Sequence, residues 1–500
     1  MPDKSLPPAS DAAGEAADAP RTWRSGLSYF LMIAGGVGGF FLIRHLGRGL
    51  VAPGATPVSL GGAHAQLTLD TLTHVLLALV AVIVTARLVG SIFSRFHQPA
   101  VVGEVLAGIL LGPSLLGSVA PRASAYLLPL SVAPFLSILA QVGVILYMFL
   151  VGLELDLSLI RKRSHATVAV SHASIVVPFL CGSALALVLY PRLASREVPF
   201  TYFALFCGVA MSVTAFPVLA RILGDRGVHG SRLGVIALTC AAVDDVTAWC
   251  LLAFVVSIVN ARAAGGLLTA GMTLGYIAFM LLGVRPVLAR VVRAHEQTGE
   301  LTRNVMTAVF VALLLSALAT ELIGIHAIFG AFALGALIPA DSKIARGLLQ
   351  RLEDFVVVLF LPAFFAYTGM RTQIGLVSGA TEWFLCLLII LTACLGKFGG
   401  SFAAARITGL GWRDSAALGI LMNTRGLMEL IVLNIGLDLH IISPTLFAML
   451  VMMAIVTTFA TTPVLDLLMA GGRTGLRPGV RRARPLTPAD DSAGSRVSTS

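Results

Sequence analysis

The feature that most limits this chain is a succession of apolar stretches, each about twenty residues long, joined by short connections. They lie near 27–46, 72–92, 98–117, 133–153, 166–190, 200–223, 233–258, 264–289, 304–321, 323–340, 355–370, 382–405, 414–437 and 444–469, and the 304–340 region can also break around Gly324. A helix of that length matches the hydrocarbon thickness of a bilayer. Lipid offers the backbone no hydrogen bonds, so consecutive runs of this kind must satisfy their own amides as helices. The chain is 57% hydrophobic and 12% charged, with mean hydropathy +0.91, far too little polar surface for a soluble fold of 500 residues. The expectation is an all-α polytopic membrane protein with about 13 core transmembrane helices, plus one more if 27–46 also spans.

The remaining composition excludes several function classes. Cys181, Cys207, Cys240, Cys250, Cys386 and Cys394 all fall inside apolar runs, so neither a disulfide framework nor a CxxC metal site is expected, only small buried packing residues. A net charge of +10 and a pI near 9.7 invite a nucleic-acid reading. Membrane chains collect Lys and Arg on cytoplasmic loops for topological reasons, which accounts for the same excess without nucleic acid.

Outside the spans, 1–26 and 471–500 read as disordered tails, the second Arg-rich and cytoplasmic. The 27–46 segment reads as an extra helix and not a signal peptide, because the cleavage-like Ala63-His64-Ala65 lies too far beyond it. From 72 to 469 the chain reads as one transmembrane domain. Alternate loops hold Arg95; Arg161, Lys162 and Arg163; Arg221, Arg226 and Arg232; Arg290, Arg293 and Arg303; Lys343, Arg346 and Arg351; and Arg406 and Arg413. The intervening loops hold little more than Arg122, Arg192, Arg196, Arg262 and Arg371. That asymmetry predicts a C-terminus inside the cell, and a plasma (inner) membrane is the expected location.

Polar residues stranded in apolar spans then carry the functional information. A carboxylate at a helix centre costs roughly 2.5–3.5 kcal/mol on insertion scales, so Glu104, Asp244, Asp245, Lys397, Arg425 and Glu429 are functional candidates. Asp244 and Asp245 sit in Ala241-Ala242-Val243-Asp244-Asp245-Val246, well inside 233–258. Successive helical residues point about 100° apart, so one carboxylate can look into a cavity while the other turns to a neighbouring helix. Lys397 is the natural partner of that second group. The competing structural reading, a carboxylate pair capping a helix at a re-entrant loop, lacks a turn signal before the pair. A carboxylate that accepts either a proton or a dehydrated cation, and faces one side at a time, couples the two fluxes.

Two spans read as interrupted. In Met211-Ser212-Val213-Thr214-Ala215-Phe216-Pro217 the proline predicts a break or kink at residue 217. In Asn423-Thr424-Arg425-Gly426 the polar run predicts unwound backbone lining a cavity. Glu429 follows Arg425 at i,i+4, so the pair either neutralises itself or takes part in gating. One break precedes the Asp-pair helix and the other follows the Lys397 helix. Such matched interruptions point to a midplane ion site between inverted repeats, with Asp245 and Lys397 balancing the half-helix ends.

These residues together resemble the cation:proton antiporter superfamily, in the branch holding bacterial sodium–proton antiporters, Kef-type potassium–proton antiporters and plant cation/proton exchangers. The resemblance covers roughly 72–469. It rests on Gln98-Pro99-Ala100-Val101-Val102-Gly103-Glu104 through Gly112-Pro113, on Leu146 to Asp156, on the Thr214–Pro217 break and the Asp pair, and on Gly324-Ile325-His326, Lys397 and Asn423-Thr424-Arg425-Gly426. It implies inverted repeats with two crossed broken helices, a core domain moving like an elevator beside a dimerisation domain, and a homodimer. It implies Asp245 as the carboxylate that binds the proton and the monovalent cation, Asp244 as a neighbour able to pair with Lys397, and Thr214 lining the crossover. No cofactor is implied; Na⁺ or K⁺ and H⁺ are the substrates. The family's Kef-type nucleotide-binding domain does not follow the last span, so glutathione gating is not expected. Gly108, Gly112, Gly330 and Gly335 read as close-packing positions, His326 as packing or interfacial, and Glu104 as pairing with a basic group.

Two other functions fit parts of the pattern. A sodium-coupled organic anion symporter shares the crossed architecture but does not need an adjacent Asp pair with Lys397. An intramembrane aspartyl protease needs aspartates facing each other across two helices, whereas here they are neighbours on one.

Overall fold

A computed structural model describes residues 21–50, 69–155, 165–195, 198–228, 231–264, 266–298 and 302–470. The expected tails therefore lie outside the described residues, apart from 21–26, which are the first turns of helix α1 (Arg21–Leu46). The segments holding Ala63-His64-Ala65, Asp156, and Arg161 to Arg163 lie outside them as well.

Helices follow in the order α2 (Leu69–Arg95), α3 (Ala100–Leu111), the short α4 (Leu116–Val119) and α5 (Pro121–Leu127), α6 (Ala133–Glu154), α7 (His165–Leu193), α8 (Phe200–Ser212), α9 (Phe216–Asp225) and α10 (Arg232–Ala264). Then come α11 (Gly266–Phe279), α12 (Arg285–Thr298), α13 (Arg303–Ile323), α14 (Ala327–Leu337), α15 (Lys343–Phe355), α16 (Leu361–Arg371), α17 (Ala380–Cys394), α18 (Gly400–Ile407), α19 (Trp412–Met422), α20 (Leu427–Asp438) and α21 (Pro444–Ala470). π-Helical turns at Met280–Val284, Val356–Phe360 and Leu395–Gly399 join α11 to α12, α15 to α16 and α17 to α18.

Among the described residues ten helices are long and apolar enough to cross a membrane, or eleven when the bent pair α19–α20 is one span. Of the remaining expected segments, 27–46 belongs to the 26-residue α1, while 323–340 and 355–370 hold helices of eleven residues each. The 304–340 region divides at Gly324, whose φ of 92° ends α13 in the left-handed region that glycine adopts without strain. α14 is then only eleven residues long, and the 355–370 segment becomes the continuation of α15 through a π turn.

The helices pack as two bundles. In one, α2, α3, α6, α13, α14 and α16 lie together, with α11 and α12 along the outside. In the other, α7, α10, α17, α18 and α21 pack with the two interrupted spans, α8–α9 and α19–α20. α1 lies on α7, where Phe40 meets Phe179 at 5.8 Å. Gly108 and Gly112 lie directly on the backbone of Phe365 and Gly369, and Gly330 and Gly335 on that of Ser316 and Phe149. A Cβ at any of these would overlap the facing carbonyl, so their use is close packing.

The cysteines are less uniformly buried than their apolar settings suggest. Cys207, Cys240 and Cys386 are buried and Cys181 and Cys394 half-buried, but Cys250 is exposed. A residue inside an apolar run can face lipid as readily as protein, and hydropathy does not tell the two apart.

Candidate ion-exchange site

Both interruptions are real gaps in the helical ladder, and they touch. The first spans Val213, Thr214 and Ala215, between α8 and α9. It falls ahead of Pro217, not at it. Pro217 occupies the first turn of α9, where its missing N–H costs no helical hydrogen bond, so the proline starts the second half. The second gap runs from Asn423 to Gly426, and the axis bends by 44° there. The Ala215 amide donates to the Thr424 carbonyl at 3.0 Å, tying one break to the other. Thr458 of α21 holds the second break by accepting from the Arg425 amide at 2.9 Å and donating to the Arg425 carbonyl at 2.8 Å.

Interrupting α8 leaves its last carbonyls without amide partners. Two buried cations take them. Lys397 Nζ donates to the Ser212 carbonyl at 2.5 Å, and Arg425 donates to those of Ala210 at 2.9 Å and Met211 at 2.8 Å. Positive charge at a helix C-terminus is also favoured by the macrodipole. Arg425 further pairs with Glu429 Oε2 at 2.8 Å, with both side chains fully buried.

Lys397 reaches this position from the π-helical turn Leu395–Gly399, flanked by glycines that let the turn approach α7. A Cβ on Gly396 would stand 2.9 Å from Pro178 Cα, and one on Gly400 2.9 Å from the Ala173 carbonyl. At that depth Lys397 Nζ also donates to the Ser174 carbonyl at 2.8 Å and to Asp244 Oδ2 at 3.3 Å. All three ammonium donors are thus used.

Asp244 and Asp245 lie in mid-helix of α10 and cap nothing. Asp244 is fully buried and accepts from four groups. Besides Lys397 these are Ser171 Oγ at 3.0 Å, Ser174 Oγ at 2.6 Å and Thr214 Oγ1 at 3.0 Å. Asp245, one residue on, is only 3% exposed, and neither carboxylate oxygen has a hydrogen-bond partner. Among further buried oxygens without a partner are Asn423 Oδ1, Thr424 Oγ1 and Glu429 Oε1.

The structure thus brings Asp244, Lys397 and Thr214 into one hydrogen-bonded cluster, sets Asp245 beside it, and places Arg425 with Glu429 at the end of α8. Glu104 is buried on α3, outside this cluster. Ser171, Ser174 and Thr458 carry no charge, so insertion cost does not mark them in the sequence. Their signal was present for Ser171 and Ser174, hydroxyls three apart on one face of an apolar span. Among the described residues no three His, Cys, Asp or Glu side chains come together as a metal site.

A family model described as "Sodium/hydrogen exchanger, transmembrane" matches residues 78–470. The chain is similar to the Na(+)/H(+) antiporter NhaS4 of Synechocystis, at 43% identity over 397 residues that cover 79% of this chain and 97% of that one. It is similar to cation/H(+) antiporter 20 of Arabidopsis thaliana at 39% identity, covering 76% of this chain and 47% of that one. It is 34% identical to K(+)/H(+) antiporter 1 of Saccharomyces cerevisiae, covering 82% and 48%. It therefore spans nearly all of the Synechocystis relative but about half of the plant and yeast ones. Among solved structures, the sodium proton antiporter MjNhaP1 of Methanocaldococcus jannaschii shares the fold, with TM-score 0.55 at 15% identity over 80% of this chain and 98% of that one. With two touching broken spans, a carboxylate pair beside them, and this breadth of similarity, the chain belongs to the sodium/hydrogen exchanger transmembrane family.

Proposed function

We propose that this chain exchanges a monovalent cation, Na⁺ or K⁺, for protons across a membrane by alternating access, with Asp245 holding the cation and the proton in turn. The observation that carries this reading is the contrast between two adjacent carboxylates. Asp244 is saturated by three hydroxyls and Lys397, whereas both oxygens of Asp245 are buried and bare. A bare buried carboxylate must be neutralised, and either a proton or a partly dehydrated cation does so. The two exclude each other at one site, and that exclusion couples their fluxes. Asp244 with Lys397 keeps a fixed, internally neutral pair behind the site, so each cycle changes charge at Asp245 alone. Arg425 and Glu429 hold the crossover together and are assigned a supporting role. The chain works as a homodimer in the plasma membrane with its C-terminus in the cytoplasm, the orientation that its basic loops support.

The test is a pH-gradient assay in everted membrane vesicles, with Na⁺, K⁺ and Li⁺ added separately. Cation-dependent proton efflux is expected from the parent and none from Asp245→Asn. Undiminished exchange in that variant would overturn the mechanism.

A further inference from the structure

Arg371 is one of few cations on the charge-poor side of the chain, and the exchange site does not use it. It is the last residue of α16, and Asp438 is the last residue of α20, so two helix ends from different bundles face each other. Arg371 Nη2 donates to Asp438 Oδ1 at 2.6 Å, and Nη1 donates to Asn434 Oδ1 at 3.1 Å. Asn434 Nδ2 returns a hydrogen bond to Thr368 Oγ1 of α16 at 3.0 Å. The Arg371 guanidinium lies 5.3 Å from the centre of the Tyr367 ring on its own helix. An aspartate at a helix C-terminus stands against the negative end of the macrodipole, so Asp438 is unfavourable there without a cation. The tie to Arg371 supplies it.

A cavity of about 270 Å³ lies beside this clasp, lined from both bundles. Ala140 and Val144 of α6 and Ile328 of α14 line it together with Ile431, Asn434 and Asp438 of α20. Asn434 and Asp438 therefore line the cavity and bond Arg371 at once. α20 is the second half of the interrupted span that carries Arg425 and Glu429, so displacement of α20 is displacement of the ion site's own framework.

We propose that Arg371 is a gating residue: its bonds to Asn434 and Asp438 hold the two bundles closed over this cavity and must break for the site to open on that side. The proposal rests on the alternating-access reading above, which requires the bundles to move relative to one another. The geometry suits a reversible tie. The Asp438 side chain is 51% exposed, so water competes for it, while Arg371 at 13% is held in place by its own helix.

The test places a cysteine in the cavity by Ile431→Cys and follows its reaction with a bulky water-soluble maleimide. The full chain is purified in detergent, so that sidedness plays no part, and the rate of the chain without the added cysteine is subtracted. Adding Arg371→Ala is expected to raise the labelling rate about fivefold or more, the factor that loss of a modest polar tie corresponds to. Combining Arg371→Asp with Asp438→Arg is expected to bring it back toward the parent rate. An unchanged rate in Arg371→Ala, or a charge exchange that stays fast, overturns the proposal. If Arg371→Ala does not fold, Asp438→Asn takes its place, since that side chain is half exposed. Labelling requires no cation flux, so a failed gate leaves the Asp245→Asn transport result standing, and the reverse also holds.

Discussion

Lys397 Nζ lies 3.3 Å from Asp244 Oδ2, and neither side chain has any exposure to solvent. The pair joins residues 153 positions apart and fixes the distance between α10 and the π-helical turn after α17. Removing one partner of a buried pair leaves the other charge uncompensated, at a cost of about 3–5 kcal/mol. Lys397→Ala is therefore expected to lower thermal stability sharply. Asp244→Asn combined with Lys397→Met, which removes both charges, is expected to recover most of that loss. A double variant as unstable as Lys397→Ala in a thermal melt would show that the lysine acts through its backbone contacts alone.

Ser174 donates to Asp244 Oδ2 at 2.6 Å while its own carbonyl accepts from Lys397 at 2.8 Å. A hydrogen bond to a charged group contributes roughly 1.5–3 kcal/mol. Ser174→Ala should destabilise by about that amount, whereas Ser174→Thr keeps the hydroxyl and should lose less. Differential scanning fluorimetry in detergent ranks the three proteins.

Two glycines one turn apart around Lys397 should respond oppositely to alanine. At Gly396 a Cβ would meet Pro178 Cα at 2.9 Å, a backbone atom that cannot turn aside, while at Gly399 nothing lies within 4 Å. Gly396→Ala is expected to push the lysine-bearing turn away from α7, with an overpacking cost of about 1–3 kcal/mol and reduced exchange. Gly399→Ala is expected to leave both unchanged or slightly raise stability. Vesicle exchange rates and melting temperatures of the two variants, compared side by side, check this.

Arg425 uses the fork of its guanidinium, with one nitrogen on the Ala210 carbonyl and Glu429 and the other on the Met211 carbonyl. A lysine retains the charge but cannot span these acceptors. Arg425→Lys is expected to lose at least tenfold in exchange rate, the equivalent of about 1.4 kcal/mol, while remaining folded. A rate within twofold of the parent would show that charge at the end of α8 suffices without the fork.

Much of this protein was legible before any fold was known, because the information was local. Hydrocarbon thickness sets the length of each apolar run, and a charge inside such a run stands out by its insertion cost. Asp244, Asp245, Lys397, Arg425 and Glu429 could be named on that basis, and the Asn423–Gly426 break could be placed from its polar residues. The first break was displaced by a few residues because a proline both ends and begins helices, and only packing against Thr424 shows which it does here. The resemblance implied that Asp244 pairs with Lys397, but only tertiary structure supplies the hydrogen bonds that leave Asp245 without partners. Two adjacent residues differ in their hydrogen bonding because α10 is turned so that Asp244 bonds Ser171, Ser174, Thr214 and Lys397 while Asp245 bonds none of them. The same holds for the tie between Arg371 and Asp438, 67 positions apart. Rotation of a helix about its axis depends on every neighbour it packs against, and no local pattern of residues encodes it.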